Sequence, residues 1–208
     1  KVYVQAPSAR LAAMAAGAEP GMRVLDCCAA PGGKSFAAAI AMQNEGSVTS
    51  CDIHAHKVSL IEKGAARLGI SIVHARHASQ FEPEFEAGFD VVIADVPCSG
   101  LGVIRKKPDI RYKDLAPMQK LPQVQAAILE NVSRYVKPGG VLVYSTCTVL
   151  KRENENVANA FLARHPEFRL EVFALPAGLD AQTDGMLTLY PHLHEADGFF
   201  ICKLRKNV

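Results

Sequence analysis

Met22-Arg23-Val24-Leu25-Asp26-Cys27-Cys28-Ala29-Ala30-Pro31-Gly32-Gly33-Lys34 is a short apolar run that breaks into a proline–glycine turn and then into an alanine-rich stretch. The pattern predicts a buried strand over 22–27, a tight turn through Ala29–Gly33 and a helix from 34 to about 43. The same alternation continues along the chain. A second strand over 47–52 ends in an acid, a helix over 54–68 stops at Gly69, and a third short strand covers 71–75. The fourth strand, 89–96, opens into a long loop rich in Pro and Lys that runs to about 117. A helix over 121–136 is closed by Lys137-Pro138-Gly139-Gly140, followed by a fifth strand over 141–145 and a helix over 153–164. The runs 168–173, 186–190 and 198–204 read as strands with no helix between them, which predicts an antiparallel hairpin at one edge. Alternating strands and helices imply an α/β fold: a mostly parallel, doubly wound sheet with helices on both faces. Residues 1–20 read as a helical lead-in packed on the sheet.

With 208 residues, 49% hydrophobic and 21% charged, the chain suits a single globular domain spanning 1–208. It opens at Lys1 without a methionine, in the middle of a pattern, so a fragment of a longer protein is expected. A net charge of +2 announces no polyanion partner, but Arg105-Lys106-Lys107-Pro108-Asp109-Ile110-Arg111-Tyr112-Lys113 gathers five cations around an aromatic. Beside reactive groups, such a run suits phosphate contacts. The six cysteines show no C-x-x-C pair and no zinc spacing. His54/His56 and His192/His194 lack a third ligand, so no metal is expected. There is no leader pattern and no 18-residue apolar stretch. The expectation is a reduced, soluble, cytoplasmic monomer with no membrane partner.

Chemistry points to the strand ends, where open parallel sheets bind ligands. Asp95-Val96-Pro97-Cys98 follows the fourth strand and Ser145-Thr146-Cys147 follows the fifth, so two thiols 49 positions apart are expected to share one crevice. A thiolate is the nucleophile that an unreactive pyrimidine carbon requires. The turn Cys28-Ala29-Ala30-Pro31-Gly32-Gly33-Lys34 fits neither G-x-G-x-x-G nor a phosphate-binding P-loop, which needs glycine at position 28. It still aims backbone N–H groups at an anion near a helix N-terminus. Asp52 follows Gly33 by 19 residues, the spacing of an acid that grips a ribose diol. A nucleoside carrying a small carboxylate suits both features, and S-adenosylmethionine answers that description.

Taken together, these strings resemble the RNA cytosine-5 methyltransferases of the Nop2/Sun/RsmB group from about Gln5 onward. The resemblance is carried by Asp26-Cys27-Cys28-Ala29-Ala30-Pro31-Gly32-Gly33-Lys34-Ser35, Asp95-Val96-Pro97-Cys98-Ser99-Gly100-Leu101-Gly102, Tyr144-Ser145-Thr146-Cys147-Thr148-Val149 and Asp197-Gly198-Phe199-Phe200. Gly102-Val103-Ile104-Arg105-Lys106-Lys107-Pro108-Asp109-Ile110 is similar to the B subgroup of bacterial small-subunit rRNA methyltransferases. The resemblance implies a Rossmann-like class I S-adenosylmethionine-dependent methyltransferase fold acting on small-subunit rRNA. It implies the cofactor on Cys28, Ala29, Ala30, Pro31, Gly32, Gly33 and Lys34, with Asp52 on the ribose and Asp95 near the methionine end and the base. It further implies Cys147 as nucleophile and Cys98 as the group that helps release product. One departure stands out: His77 occupies the place of an acid that holds the adenine edge in the family, and a neutral imidazole still hydrogen-bonds there.

The chemistry explains these residue types. Cytosine C5 is a poor nucleophile until a thiolate adds at C6. Asp95 suits a hydrogen bond to the N3/N4 edge, and Lys34 suits holding Asp95 or the cysteines in their charge states. In DNA cytosine methyltransferases the Pro-Cys thiol is the attacker, which would exchange the roles of Cys98 and Cys147. An amino-group methyltransferase would need an Asp/Asn-Pro-Pro-aromatic string, which is absent. A nicotinamide oxidoreductase lacks its fingerprint. A non-catalytic RNA-binding or ribosome-assembly module that kept the fold is the alternative of a different class. Cys27, Cys28, Cys51 and Cys202 read as packing, apart from the backbone of Cys28 in the turn.

Overall fold

A computed structural model of the chain describes residues 2–78, 86–114, 116–179, 181 and 183–208; Lys1 of the lead-in and Leu115 of the long loop lie outside them. Helix α1 (Pro7–Ala16) leads into β1 (Arg23–Asp26), α2 (Gly33–Ala41), β2 (Ser47–Asp52), α3 (Ala55–Leu68) and β3 (Val73–His77). Then come β4 (Phe89–Asp95), α4 (Leu121–Ser133), β5 (Val136–Thr146), α5 (Glu155–Arg164), β6 (Phe168–Leu170), β7 (Met186–Leu189), a one-turn helix α6 (Pro191–His194) and β8 (Phe199–Lys206). The strand order is β3-β2-β1-β4-β5-β8-β6, with β7 also paired to β8. Strands β1 to β5 run parallel, and β8 runs antiparallel to β5, β6 and β7. The order reverses between β1 and β4, the place where an open α/β sheet forms its ligand crevice.

The central strands are buried on both faces, which is why they read as unbroken apolar runs rather than alternating ones. One face packs Leu129 and Val132 of α4 and Val157, Ala158 and Phe161 of α5 against Leu25, Val92, Leu142 and Tyr144. The other packs Leu11, Ala12, Ala15 and Ala16 of α1 and Ala38 and Ala39 of α2 against Val24, Val91, Ile93 and Val143. Within the 1–20 segment, α1 packs on the sheet through these residues. Phe36 on α2 is 1% exposed and sits between two glycines. A Cβ at Gly32 or Gly64 would fall within 2.4 or 2.5 Å of its ring. Truncating Phe36 to Ala would cost roughly 3–5 kcal/mol.

The structure corrects several boundaries. Helix α4 ends at Ser133 rather than at 136, because Val136 already pairs with Phe89. Lys137-Pro138-Gly139-Gly140 does not interrupt the chain between elements; β5 runs through it, and the β4–β5 register shifts there from Phe89/Val136 to Val91/Val141. The turn residues thus make a bulge, with Lys137 ion-paired to Asp90. Strand β3 lies two residues later than expected, and β6 stops at Leu170 although Phe173 is still buried. The C-terminal hairpin is antiparallel as expected, but α6 lies inside its connection. The long loop carries short 3-10 turns at Leu101–Val103, Pro108–Tyr112 and Pro117–Lys120.

Candidate active site

Strands β4 and β5 are adjacent and parallel, so their carboxyl ends bring Cys98 and Cys147 together. The two sulfurs lie 3.0 Å apart, both as free thiols. The Cys147 backbone N–H also donates to Cys98 Sγ at 3.2 Å. The hydrogen bond from Cys98 holds the Cys147 thiol below its ordinary pKa, against the opposing effects of burial and Asp95, and Lys34 helps. The same contact, with burial, pushes Cys98 up. The sulfur–sulfur contact thus pushes the two thiols in opposite directions, Cys147 down and Cys98 up.

Asp95 closes β4 and faces Lys34 from the first turn of α2. Lys34 Nζ donates to Asp95 Oδ2 at 2.5 Å, and Ser145 Oγ donates to Asp95 Oδ1 at 2.7 Å. The side chains of Lys34 and Asp95 are 10% and 29% exposed. Burial works against the Lys34 cation, but Asp95 outweighs it and holds the ammonium above its ordinary pKa. The ion pair fixes the carboxylate beside the two sulfurs and keeps a positive charge within their reach.

The glycine turn lies next to this pair. Gly32 takes φ +107°, a backbone conformation open to glycine, and α2 starts at Gly33. Two adjoining cavities share Cys28, Ala30 and Asp95 in their walls. The larger, of about 480 Å³, is lined by Asp52, Cys98 and Cys147, with Val124, Ile128 and Val132 of α4 opposite. The smaller, of about 190 Å³, is lined by Ala29, Pro31, Gly33, Lys34 and Asp26 and by Tyr3, Val4 and Gln5 of the N-terminal segment. Every residue of the expected cofactor set except Gly32 and His77 lines one of the two.

Asp52 accepts the His54 backbone N–H at 3.0 Å, with Lys57 Nζ at 3.9 Å. His77 stands beside it in register, but its Nε2 is 2.8 Å from the Ile53 carbonyl, and the cavity wall there is formed by Ala78. Two contributors escaped the sequence reading. Asp26 is buried, takes a hydrogen bond from Ser35 Oγ at 2.7 Å, and leaves Oδ1 without a partner. Burial raises its pKa to about 6, while Ser35 and Lys34 pull it down. An acid inside an apolar strand was the available signal. The Tyr3–Gln5 segment gave none.

The four motifs that carry the resemblance converge here. Gly102 donates its N–H to the Cys147 carbonyl at 3.0 Å, and Gly198 donates to the Gly102 carbonyl at 2.8 Å. A Cβ on Gly102 would fall 1.9 Å from the Gly198 carbonyl oxygen. Asp197 holds Lys106 of the basic loop at 2.6 Å. Cys27, Cys51 and Cys202 are buried in the core, and burial contributes to raised pKa values at all three. Among the described residues no group of three or more His, Cys, Asp or Glu is placed to hold a metal. No helix of the described residues is long and apolar enough to cross a membrane.

The profile of the family described as 16S rRNA methyltransferase RsmB/F matches residues 13–205. A probable ribosomal RNA small subunit methyltransferase B from Bacillus subtilis is 45% identical over all of this chain and 48% of its own length. One from Synechocystis is 37% identical over 98% of this chain and 47% of its own. Among solved structures, NSun6 from Pyrococcus horikoshii with SFG superposes with a TM-score of 0.83 at 28% identity, covering 98% of this chain and 53% of that one. The chain spans about half the length of the curated relatives it matches.

Proposed function

The chain belongs to the 16S rRNA methyltransferase RsmB/F family, and on that premise we propose that it methylates C5 of a cytosine in small-subunit rRNA through a thiolate adduct of Cys147. Its fold is the S-adenosylmethionine-dependent methyltransferase fold, with a mostly parallel sheet and an antiparallel C-terminal edge. The residues present suit that cofactor. Asp52 is an acceptor for the ribose diol, and the Cys28–Gly33 turn offers backbone N–H groups. Asp26 Oδ1, a buried acceptor without a partner, suits the ammonium of the amino-acid end. When bound, S-adenosylmethionine supplies an electrophilic methyl group on a sulfonium.

The contact of the two sulfurs at 3.0 Å, beside the Lys34–Asp95 ion pair, is the observation that carries the reading. Cys147 adds as a thiolate to C6, and the electron pair displaced toward C5 makes that carbon the nucleophile. Asp95, held by Lys34 and Ser145, accepts from the exocyclic N4 amino group and orients the ring. After methylation a water molecule in the open cavity takes the C5 proton, the C5–H electron pair re-forms the C5–C6 double bond, and the C6–S bond breaks as the Cys147 thiolate leaves. Cys98, the thiol that keeps its proton, is in reach of the departing sulfur and assists this step. The base must leave its stack to reach the sulfurs, so a single-stranded or splayed RNA is required. The basic loop suits the RNA backbone. Arg111 lies over an 81% exposed Tyr112, and Lys113 Nζ reaches the Ser99 carbonyl at 3.4 Å, one residue from Cys98.

Trapping on RNA that contains 5-fluorocytosine tests the assignment, because fluorine at C5 blocks the elimination. Cys147→Ala should form no covalent adduct, whereas Cys98→Ala should accumulate one even on unmodified RNA. The reverse pattern would exchange the two roles, and adducts in neither would end the proposal.

A further inference from the structure

Behind the two sulfurs lies a polar network that touches neither cavity. Ser99, Gln125, Thr146, Thr148, Glu153 and Asn154 are each 0% exposed. None lines a cavity wall. Glu153 Oε2 accepts the Ser99 backbone N–H at 2.8 Å and Gln125 Nε2 at 3.1 Å. Gln125 Nε2 also donates to the Pro97 carbonyl at 3.0 Å. The residues before and after Cys98 are thus tied to one carboxylate and one amide. On the other loop, Asn154 accepts from Thr146 Oγ1 at 2.6 Å and donates from Nδ2 to the Thr148 carbonyl at 3.0 Å. The residues before and after Cys147 are tied to one side chain. Ser99 Oγ then donates to Thr148 Oγ1 at 2.8 Å, joining the two loops directly.

We propose that Glu153, with Gln125 and the Ser99–Thr148 link, is a positioning device for the reaction: it holds the two cysteine loops in one register so that the sulfurs stay in hydrogen-bond contact. The proposal rests on the reading of Cys98 and Cys147 as the reacting pair. Elsewhere α4 and α5 meet the sheet through apolar side chains, which would stabilise as well at less desolvation cost. Polar groups in this one place buy direction instead. The sulfur contact depends on how the two loops stand relative to each other, and directional bonds on both flanks of each cysteine limit their displacement. Glu153 is the centre because one oxygen gathers the Cys98 loop while its own backbone carbonyl accepts from the Tyr144 hydroxyl of β5 at 2.5 Å.

The test reads the thiols without relying on turnover. Alkylation of Cys147 by iodoacetamide, followed by mass spectrometry across pH, gives the midpoint of its thiolate formation. In Cys98→Ala that midpoint should rise, since the donor is gone. Glu153→Ala should raise it in the same direction by about one pH unit. Glu153→Gln should stay close to the parent, because its carbonyl oxygen still accepts from Ser99 and Gln125. Thr148→Val is nearly isosteric and serves if Glu153→Ala does not fold; it should shift the midpoint the same way by less. With RNA and S-adenosylmethionine, Glu153→Ala should lose about 10- to 100-fold in kcat at an unchanged KM for the methyl donor. Folded Glu153→Ala or Thr148→Val protein with the parental alkylation profile would overturn the proposal. Failure of the adduct experiment above would overturn the chemistry and leave the alkylation result standing.

Discussion

At the carboxyl ends of β4 and β5, each residue flanking a cysteine is bonded to a neighbour from another element, and Ser99, Thr146 and Thr148 are buried while Pro97 is exposed. At the ends of β2 and β3, by contrast, Asp52 is anchored mainly by the backbone N–H two residues later. There β3 alternates between exposed and half-buried positions. Both ends face the same larger cavity. On the proposed chemistry the difference follows from what each side would do. Bond making at C6 would tolerate little error in the position of sulfur, which suits a side built from directional bonds. Gripping a diol would need a carboxylate at the right strand end and little more. If this reading is right, perturbations on the β4–β5 side should cost stability and turnover together, while those on the β2–β3 side should cost affinity alone.

The hardest blow to the comparison falls on Lys34. Lys34→Met should leave Asp95 without its cation in a site where both side chains are largely buried. Breaking such a pair costs on the order of 3–5 kcal/mol. Asp95 is 29% exposed, so the lower part of that range is expected by thermal or urea unfolding. Turnover should fall as well, because the positive charge that favours the Cys147 thiolate goes with it. A variant with parental stability would show that Asp95 is satisfied by Ser145 and water alone.

Asp26 gives the next largest effect, and its sign is opposite to that of most acids. Its folded pKa of about 6 lies above the ordinary 3.8, so between these values the folded protein holds a proton that the unfolded chain has lost. Stability from this group is present below about pH 4 and falls as pH rises to about 6, by roughly 3 kcal/mol at most. Asp26→Asn should remove that fall, which denaturation at pH 4.5 and pH 7 would measure. Saturating S-adenosylhomocysteine should shrink it too, if the ammonium pairs with the free oxygen. An identical pH dependence in parent and variant would refute both statements.

How much of this was legible in the chain depends on which physical signal each part leaves. The layered sheet was legible because buried strands and helices write their periods into the sequence, and the strand-end cysteines were legible by position. The Lys137–Gly140 bulge was misread because its turn residues look the same whether they end an element or kink a strand. The Glu153 network left no trace as a unit. Its members are spread over the loop after β4, helix α4, the end of β5 and the loop before α5, and each alone resembles an ordinary surface residue. Gly102 and Gly198 were visible as motif residues, but their reason was not. It is the contact between their backbones, 96 residues apart along the chain, that excludes a side chain.

That contact yields the third prediction. Gly102→Ala would set a methyl group 1.9 Å from the Gly198 carbonyl oxygen, and backbone rather than a flexible side chain would have to move. A loss of about 1–3 kcal/mol is expected. Because Gly102 N–H bonds to the Cys147 carbonyl, the adduct yield on 5-fluorocytosine RNA should drop with it. Asp52→Asn belongs to the other side. It should weaken S-adenosylhomocysteine about tenfold by calorimetry, equivalent to about 1.4 kcal/mol, with unfolding unchanged and kcat retained at saturating donor.

His77 should show the smallest effect. Its ring is committed to the Ile53 carbonyl, and Ala78 forms the nearby wall. The imidazole donates to that carbonyl and so ties His77 to the turn after β2, next to Asp52. His77→Ala should therefore weaken S-adenosylhomocysteine by less than about threefold, well under the 1.4 kcal/mol of a tenfold change. Binding of adenosine alone should be nearly unaffected. A loss as large as that of Asp52→Asn, shared by adenosine, would mean that the ring swings to the base when the donor binds. The β2–β3 side would then be rebuilt on binding, and its contrast with the prearranged sulfur pair would become sharper.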